Sequence, residues 1–327
     1  MHSLTRRRFG GALLVTAGAQ LLPAAWAQAY PSKPVKLIAP FPPGGGVDSV
    51  ARLIAERLSV RIGQAIVIEN RPGAGSTIGA EAFAKSPADG YTLMLGSVSS
   101  YAIAPHMYKN LAFDMPRDFV SIVEIGNGTV GLVVTADLPV KNLQELIALA
   151  KSKPGELSYA SSGIGGVQHL YAEMFKQMTG VNMVHVPYKG TSQMLPDLIS
   201  GRVPITFDSM PAHLPHLKSG KLRALAVTNK ARAQMLPDVP TMAEAGLPGY
   251  EAATNYTLFG LAKSPRETNA LLNKETNAVL QQQELRDKLL ALGITVTGGS
   301  TEAAQAYVPV EMARWAGVIK AANLKLD

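Results

Sequence analysis

Short apolar runs alternate with segments of helical periodicity along most of this chain, and that alternation predicts a parallel α/β protein. VKLIA (35–39) reads as a strand, after which Val47, Val50, Ala51, Ile54 and Leu58 recur on one helical face. Residues 66–69 are the next predicted strand, 77–85 its helix, 86–90 a turn and 91–95 a third strand. A second series follows with helix 143–152, strand 157–160, helix 167–179, strand 183–186, helix 194–200 and strands 203–207 and 222–228. Two apolar runs, VGLVVT (130–135) and YTLFGLA (256–262), are placed to cross between the series. Residues 266–320 read as mostly helical, with a short strand near 295–297. The predicted architecture is two α/β lobes joined by two crossing strands. Residues 28–130 and 255–327 then form the first lobe and 131–254 the second.

The N-terminus stands outside this scheme. LTRRRFGG (4–11) has a twin-arginine arrangement, an alanine-rich apolar run follows, and Ala25-Trp26-Ala27 is a small-x-small cleavage site. Residues 1–27 therefore read as a cleavable export signal that sends the remaining chain to the periplasm. Its three arginines account for part of the formal charge of +7, leaving +4 (7 − 3) on scattered basic residues. With aromatics at 6%, no stripe or stacking platform for nucleic acid is visible. The absence of cysteine excludes disulfides and thiolate metal sites.

The glycines change the picture most. APFPPGGG follows the first strand, NRPGAGS (70–76) the second and GSVSS (96–100) the third. In the other series ASSGIGG (160–166), PYKGTS (187–192) and FDSMP (207–211) also follow strands. Ligands of open parallel sheets bind beyond the strands' carboxyl ends. Glycine-rich turns opening onto helix N-termini there offer bare amides to an anion.

Nucleotide motifs fail. Gly44-Gly45-Gly46 is followed by Val47 and Asp48 with no lysine, and the G-x-G-x-x-G at Gly126, Gly128 and Gly131 precedes a β-like run and reads as turns. Neither G-x-S-x-G nor H-E-x-x-H occurs. His213 and His216 could share a helical turn, but with no acid beside them a surface or capping role is expected. His169, after ASSGIGG, could face a cleft or the interior. Asp48 and Asp208 are the carboxylates in these loops, one per predicted lobe. Capping is expected of Asp48; Asp208 could brace its turn or read a ligand amine or hydroxyl. An acid–base pair is the enzymatic alternative, although no nucleophile, base and orienter assemble. Arg71 and Lys189 are the nearby cations.

Long blocks in order carry a family resemblance: YPSKPVKLIAPFPPGGGVDSVAR, IENRPGAGSTIGAEAFAKSPADGYTL, LSYASSGIGG, VHVPYKGTSQMLPDLISGRV, LPDVPTMAEAGLPGYE and EMARWAGVIK. The chain resembles the Bug-type periplasmic solute receptors of the tripartite tricarboxylate transporter family. The resemblance implies a two-lobed flytrap fold, no catalysis and no cofactor. It implies a monomer that closes over a small organic acid and delivers it to membrane transporter subunits; signalling to a membrane kinase is the alternative outlet. Residue by residue, it places Phe41, Pro43, Gly44, Gly45, Asp48, Ser76 and Ser97 in the first-lobe site. Ser161, Ser162, Gly163, Tyr188, Gly190 and Asp208 form the second-lobe site. Three departures stand out: GLAKSPRE (260–267) lacks the family's APAGTP-like turn, Asn255 replaces an aromatic, and residues 164–168 are more apolar than the serine-rich form.

Overall fold

The computed structural model describes residues 30–324, so the expected export signal lies outside the described residues. β1 (Val35–Ala39), α1 (Gly46–Ile62), β2 (Ile66–Asn70), α2 (Thr77–Ala84), β3 (Thr92–Gly96) and α3 (Val98–Met107) form three strand–helix units. α4 (Met115–Asp118) leads into β4 (Phe119–Gly128), and a single residue later β5 (Val130–Thr135) begins. The second series comprises α5 (Leu143–Ser152), β6 (Ser158–Ser161), α6 (Val167–Thr179), β7 (Val184–Pro187), α7 (Thr191–Ile199), β8 (Ile205–Ser209), α8 (Leu214–Lys218) and β9 (Leu222–Val227). β10 (Thr254–Leu261), α9 (Arg266–Leu280), α10 (Gln283–Ala291), β11 (Ile294–Val296) and α11 (Thr301–Ala321) complete the chain.

The strands form two sheets, a six-stranded one ordered β11-β4-β10-β3-β1-β2 and a five-stranded one ordered β7-β6-β8-β5-β9. β1 lies parallel to β2 and β3, with Val35 opposite Ile66 and Lys36 opposite Thr92. β6 lies parallel to β7 and β8. β10 enters the first sheet antiparallel, between β3 and β4. β5 does the same in the second, between β8 and β9. This is the two-lobed α/β fold expected, but the two runs expected to cross each stay in one sheet, β5 in the second and β10 in the first. The chain passes between sheets at Thr129, whose N–H donates to Gly293 O at 2.7 Å and whose carbonyl accepts from Met210 N at 2.9 Å. It returns over residues 228–253.

Apolar burial explains the layers. Val47, Val50, Ala51, Ile54 and Leu58 of α1 pack on the first sheet with Leu272 and Val279 of α9, while Phe83, Tyr101, Phe113, Phe119 and Phe259 fill its other face. A further core joins Leu132, Tyr159, Phe175 and Phe207 of the second lobe to Ile103 of α3 and Trp315 and Ile319 of α11. Those two helices therefore touch the interiors of both lobes. Among the described residues no helix is long and apolar enough to cross a membrane.

One expectation is corrected. Gly126 and Gly128 are not turns but residues of β4, paired with β10 and β11. A Cβ at Gly126 would run into the carbonyl of Thr295, so glycine is required by strand contact.

Candidate ligand site

Because β3, β1 and β2 are parallel neighbours, the loops after them share one edge of the first sheet. Gly44 takes φ +80°, a left-handed value open to glycine, and donates its N–H to Asp48 Oδ2 at 2.9 Å. The same oxygen accepts from Arg52 Nε at 2.9 Å, and Oδ1 accepts from Asn70 Nδ2 at 2.9 Å. Asn70 also donates to Phe41 O at 3.1 Å. The buried Asp48 carboxylate thus ties the glycine loop to the end of β2, with both oxygens engaged by the chain itself. Its bond goes to Gly44, one residue before the helix cap Gly45, so Asp48 closes the loop and does not cap α1 as expected. Phe41 is half-buried and Pro43 exposed.

Arg52 first, with Gly44 and Asn70 adding to it against burial, holds the Asp48 acid down at about 2. Since this lies below the ordinary 3.8, the stabilisation is full above about pH 4 and fades as pH falls toward 2. Asp48→Asn is expected to lower unfolding free energy at pH 7 by about 1–2 kcal/mol, the exposed Arg52 limiting the loss. Urea unfolding at pH 3 should show a smaller gap between parent and variant; an equal gap would refute this account.

Ser76 and Ser97 occupy the caps of α2 and α3, and both hydroxyls are buried without a partner among the described residues. A cap serine normally accepts from its own helix's first-turn amides. Here neither does, and α1, α6 and α7, opening at Gly45, Gly166 and Gly190, also lack a side-chain cap. Elsewhere Asp114, Asn142 and Ser300 cap α4, α5 and α11, while α8, α9 and α10 have no side-chain cap either. Five helix N-termini at the strand ends therefore carry no side-chain cap, although the Asp48 carboxylate sits in the first turn of α1 and Asp208 bonds the first turns of α6 and α7.

In the second lobe Asp208, at the end of β8 and buried, is the tie. It accepts from Ser209 N at 2.7 Å, Thr191 Oγ1 at 2.8 Å, His213 Nε2 at 2.9 Å and Gln168 Nε2. One carboxylate so fixes the starts of α6 and α7 and the turn after β8. Of the two roles left open for Asp208, the geometry shows the bracing one. His213 is wholly buried against it, which corrects the expected surface or capping role; the acid absent from the neighbouring sequence is five residues back.

The buried Ser161 hydroxyl contacts His185 Nε2 at 2.6 Å and lies 3.1 Å from both the N–H and the carbonyl oxygen of Gly163. The exposed Ser162 donates its N–H to Gln168 Oε1 at 2.7 Å. Gly163 and Gly190 adopt φ +136° and +144°, values that only glycine takes without strain. Tyr188 donates its N–H to Ser161 O at 2.9 Å, but its hydroxyl donates to Asp197 at 2.7 Å. Burial and then Asp197 push that phenol up to about 12. The Tyr188 hydroxyl is therefore engaged within its own lobe.

The sequence reading passed over several residues. Tyr256 of β10 sets its hydroxyl 3.0 Å from where a Cβ on Gly46 would stand, at the mouth of α1. Burial, and then the Asp208 charge from the other lobe, push it up to about 12. Tyr256 thus stands at the mouth of α1, and Gly46 is the glycine of the triplet that keeps room for it. Asn70, Gln168 and Thr191 supply the ties described above. Their polar side chains at loop ends were the available signal, but which acid each would reach depends on pairing between strands.

Two α/β lobes, each turning uncapped helix N-termini beyond parallel strand ends, define a solute receptor of the periplasmic-binding kind. Residues 50–324 match the tripartite tricarboxylate transporter family receptor, and the chain belongs to that family. It is 36% identical over 301 residues to protein BugT of Bordetella pertussis, with 92% of each chain covered. Among solved structures it is similar to R. palustris Rpa4515 with adipate, at 41% identity and TM-score 0.81 over 91% of this chain and all of that one. It is also similar to MatC from Rhodopseudomonas palustris with bound malate, at 31% identity and TM-score 0.78 over 89% and 100%.

Proposed function

We propose that this receptor captures a small organic carboxylate between its lobes in the periplasm and delivers it to membrane transporter subunits. The observation that carries the reading is the set of five uncapped helix N-termini at the strand ends, with the unpartnered Ser76 and Ser97 hydroxyls among them. A carboxylate takes hydrogen bonds from such amides and hydroxyls without a cationic clamp. The adipate and malate of the two relatives are both dicarboxylates, which favours that ligand class.

In this reading Gly44, Gly45, Ser76 and Ser97 line one jaw, and Ser162, Gly163 and Gly190 the other. Phe41 and Pro43 flank the first, while Asp48, Ser161, Tyr188 and Asp208 hold the loops in shape. With Asp48 and Asp208 both bonded internally, the site is assigned binding and no catalysis. We assign residues 28–130 and 255–327 to one lobe and 131–254 to the other, with cleavage of a twin-arginine signal after Ala27 and a monomeric receptor. A thermal-shift screen of the mature chain against an organic-acid panel tests the proposal. A ligand at a hundred times its Kd is expected to add about 2.7 kcal/mol of stability. No shift with any mono- or dicarboxylate would overturn it.

A further inference from the structure

Behind the second jaw, His169 of α6 and His185 of β7 stack face to face, with ring centroids 3.8 Å apart and planes 9° apart. Tyr159 of β6 stacks on His185 at 5.0 Å. Each imidazole holds one part of the ASSGIGG loop. Gly165 donates its N–H to His169 Nδ1 at 3.1 Å, so that nitrogen is unprotonated and the neutral ring bears its proton on Nε2. His185 Nε2 meets Ser161 Oγ at 2.6 Å, and that hydroxyl accepts the N–H of Gly163 at 3.1 Å. Gly163 and Gly165, at φ +136° and +74°, give the loop a shape that these bonds maintain.

We propose that His169 and His185 are positioning residues for the second ligand loop, holding it in binding geometry while both rings are neutral and releasing it on acidification. A proton added to His169 Nδ1 would turn the acceptor of Gly165 into a second donor facing the same N–H. Two imidazolium rings at stacking distance would also repel in a site where burial already disfavours charge. The other ionisable groups facing the pair balance each other. Glu173 of α6 accepts from Tyr159 at 2.6 Å and Lys176 at 2.7 Å, and its Oε1 stands 3.8 Å from His169 Nε2. Ala321 and Ala322 at the end of α11 border Glu173 and add no titrating side chain.

Burial lowers the pKa of His169, and burial followed by the His169 charge lowers that of His185 to about 4. Both fall below the ordinary 6.5, so the loop is intact at neutral pH and loosens as pH drops from about 6.5 toward 4. The effect on ligand rests on the carboxylate reading above; the coupling of the pair to the loop does not.

The test is an NMR titration of the ligand-free mature chain and of the double variant H169N/H185Q, which keeps a hydrogen-bonding group near each nitrogen position without titrating. In the parent, the Gly163 and Gly165 amide resonances are expected to shift with the histidine rings, at midpoints below 6.5, and in the variant to stay flat. Glycine amides indifferent to the histidine titration, or histidine midpoints at or above 6.5, would overturn the proposal. Should the variant not fold, the parent titration alone decides. Adipate affinity is expected to fall on going from pH 7 to 4.5 about tenfold further in the parent than in the variant, with the ligand's own titration common to both. Equal falls would remove the link to binding. Absence of adipate binding at any pH would count against the ligand reading, with the amide titration still judging the pair.

Discussion

Asp208→Ala is expected to lower unfolding free energy by about 3–5 kcal/mol, the scale for removing one partner of a buried charged or polar tie. The substitution strips the acceptor from His213, which has no solvent exposure, and from Thr191, Gln168 and the Ser209 N–H. A loss of that size is a large part of the usual 5–15 kcal/mol of a folded protein, and should move the melting midpoint by about 10 °C. Asp208→Asn keeps the volume and some of the acceptors, so its loss should be less than half as large. Binding should suffer in both variants even at temperatures where they are folded, because the starts of α6 and α7 lose their common anchor. Calorimetric melts of the three proteins settle it; a midpoint for the alanine variant within about 2 °C of the parent would show that Asp208 ties nothing.

Glu311→Ala should cost about 3 kcal/mol at the junction of the lobes. The buried Glu311 carboxylate of α11 accepts from Ser99 Oγ at 2.5 Å, Trp315 Nε1 at 2.8 Å and Arg314 Nη1 at 2.7 Å. Ser99 Oγ also lies 3.3 Å from Asn255 Oδ1, and Asn255 Nδ2 donates to Asn127 Oδ1 at 2.7 Å. One polar cluster so joins α11, α3, β10 and β4. Arg314 is partly solvated and can turn to water when its acceptor goes, which holds the figure to the low end of the buried-pair range. Glu311→Gln leaves an acceptor for Trp315 and should lose about half as much. Urea midpoints at pH 7 test the pair of variants. An alanine variant as stable as the parent would mean the cluster adds nothing net. The same network accounts for Asn255 standing where the family resemblance called for an aromatic: its amide is the middle link.

How much of this could be read in the chain depended on the range of the forces involved. α5 and α6 begin and end where the apolar periodicity put them, and β1 and β5 also match, because each carries its own pattern. β4 escaped notice because Gly126 and Gly128 look like turn residues until the carbonyl of Thr295 is laid against them. α3 was hidden for a similar reason: serines after Gly96 suggest a loop, yet Ser97 starts a helix whose Tyr101 and Ile103 are buried. The loops of the site were legible, since glycine runs after strands are local. The partners of Asp48 and Asp208 were not, because Asn70, Thr191 and Gln168 reach them only once parallel strands are in register.

The place of β10 has a consequence for the order in which the protein forms. The six-stranded sheet keeps β10 between β3 and β4, although 125 residues separate the end of β4 from the start of β10 (254 − 128 − 1). During synthesis β1, β2 and β3 emerge early but have no antiparallel neighbour to cover the β3 edge until that late strand arrives. The second sheet has all its strands within one continuous stretch, from Val130 to Val227, and can close first. Contacts of such long sequence separation are slow to form, so the lobe that begins the chain is the last to be finished, and β3 waits through that interval with an open edge.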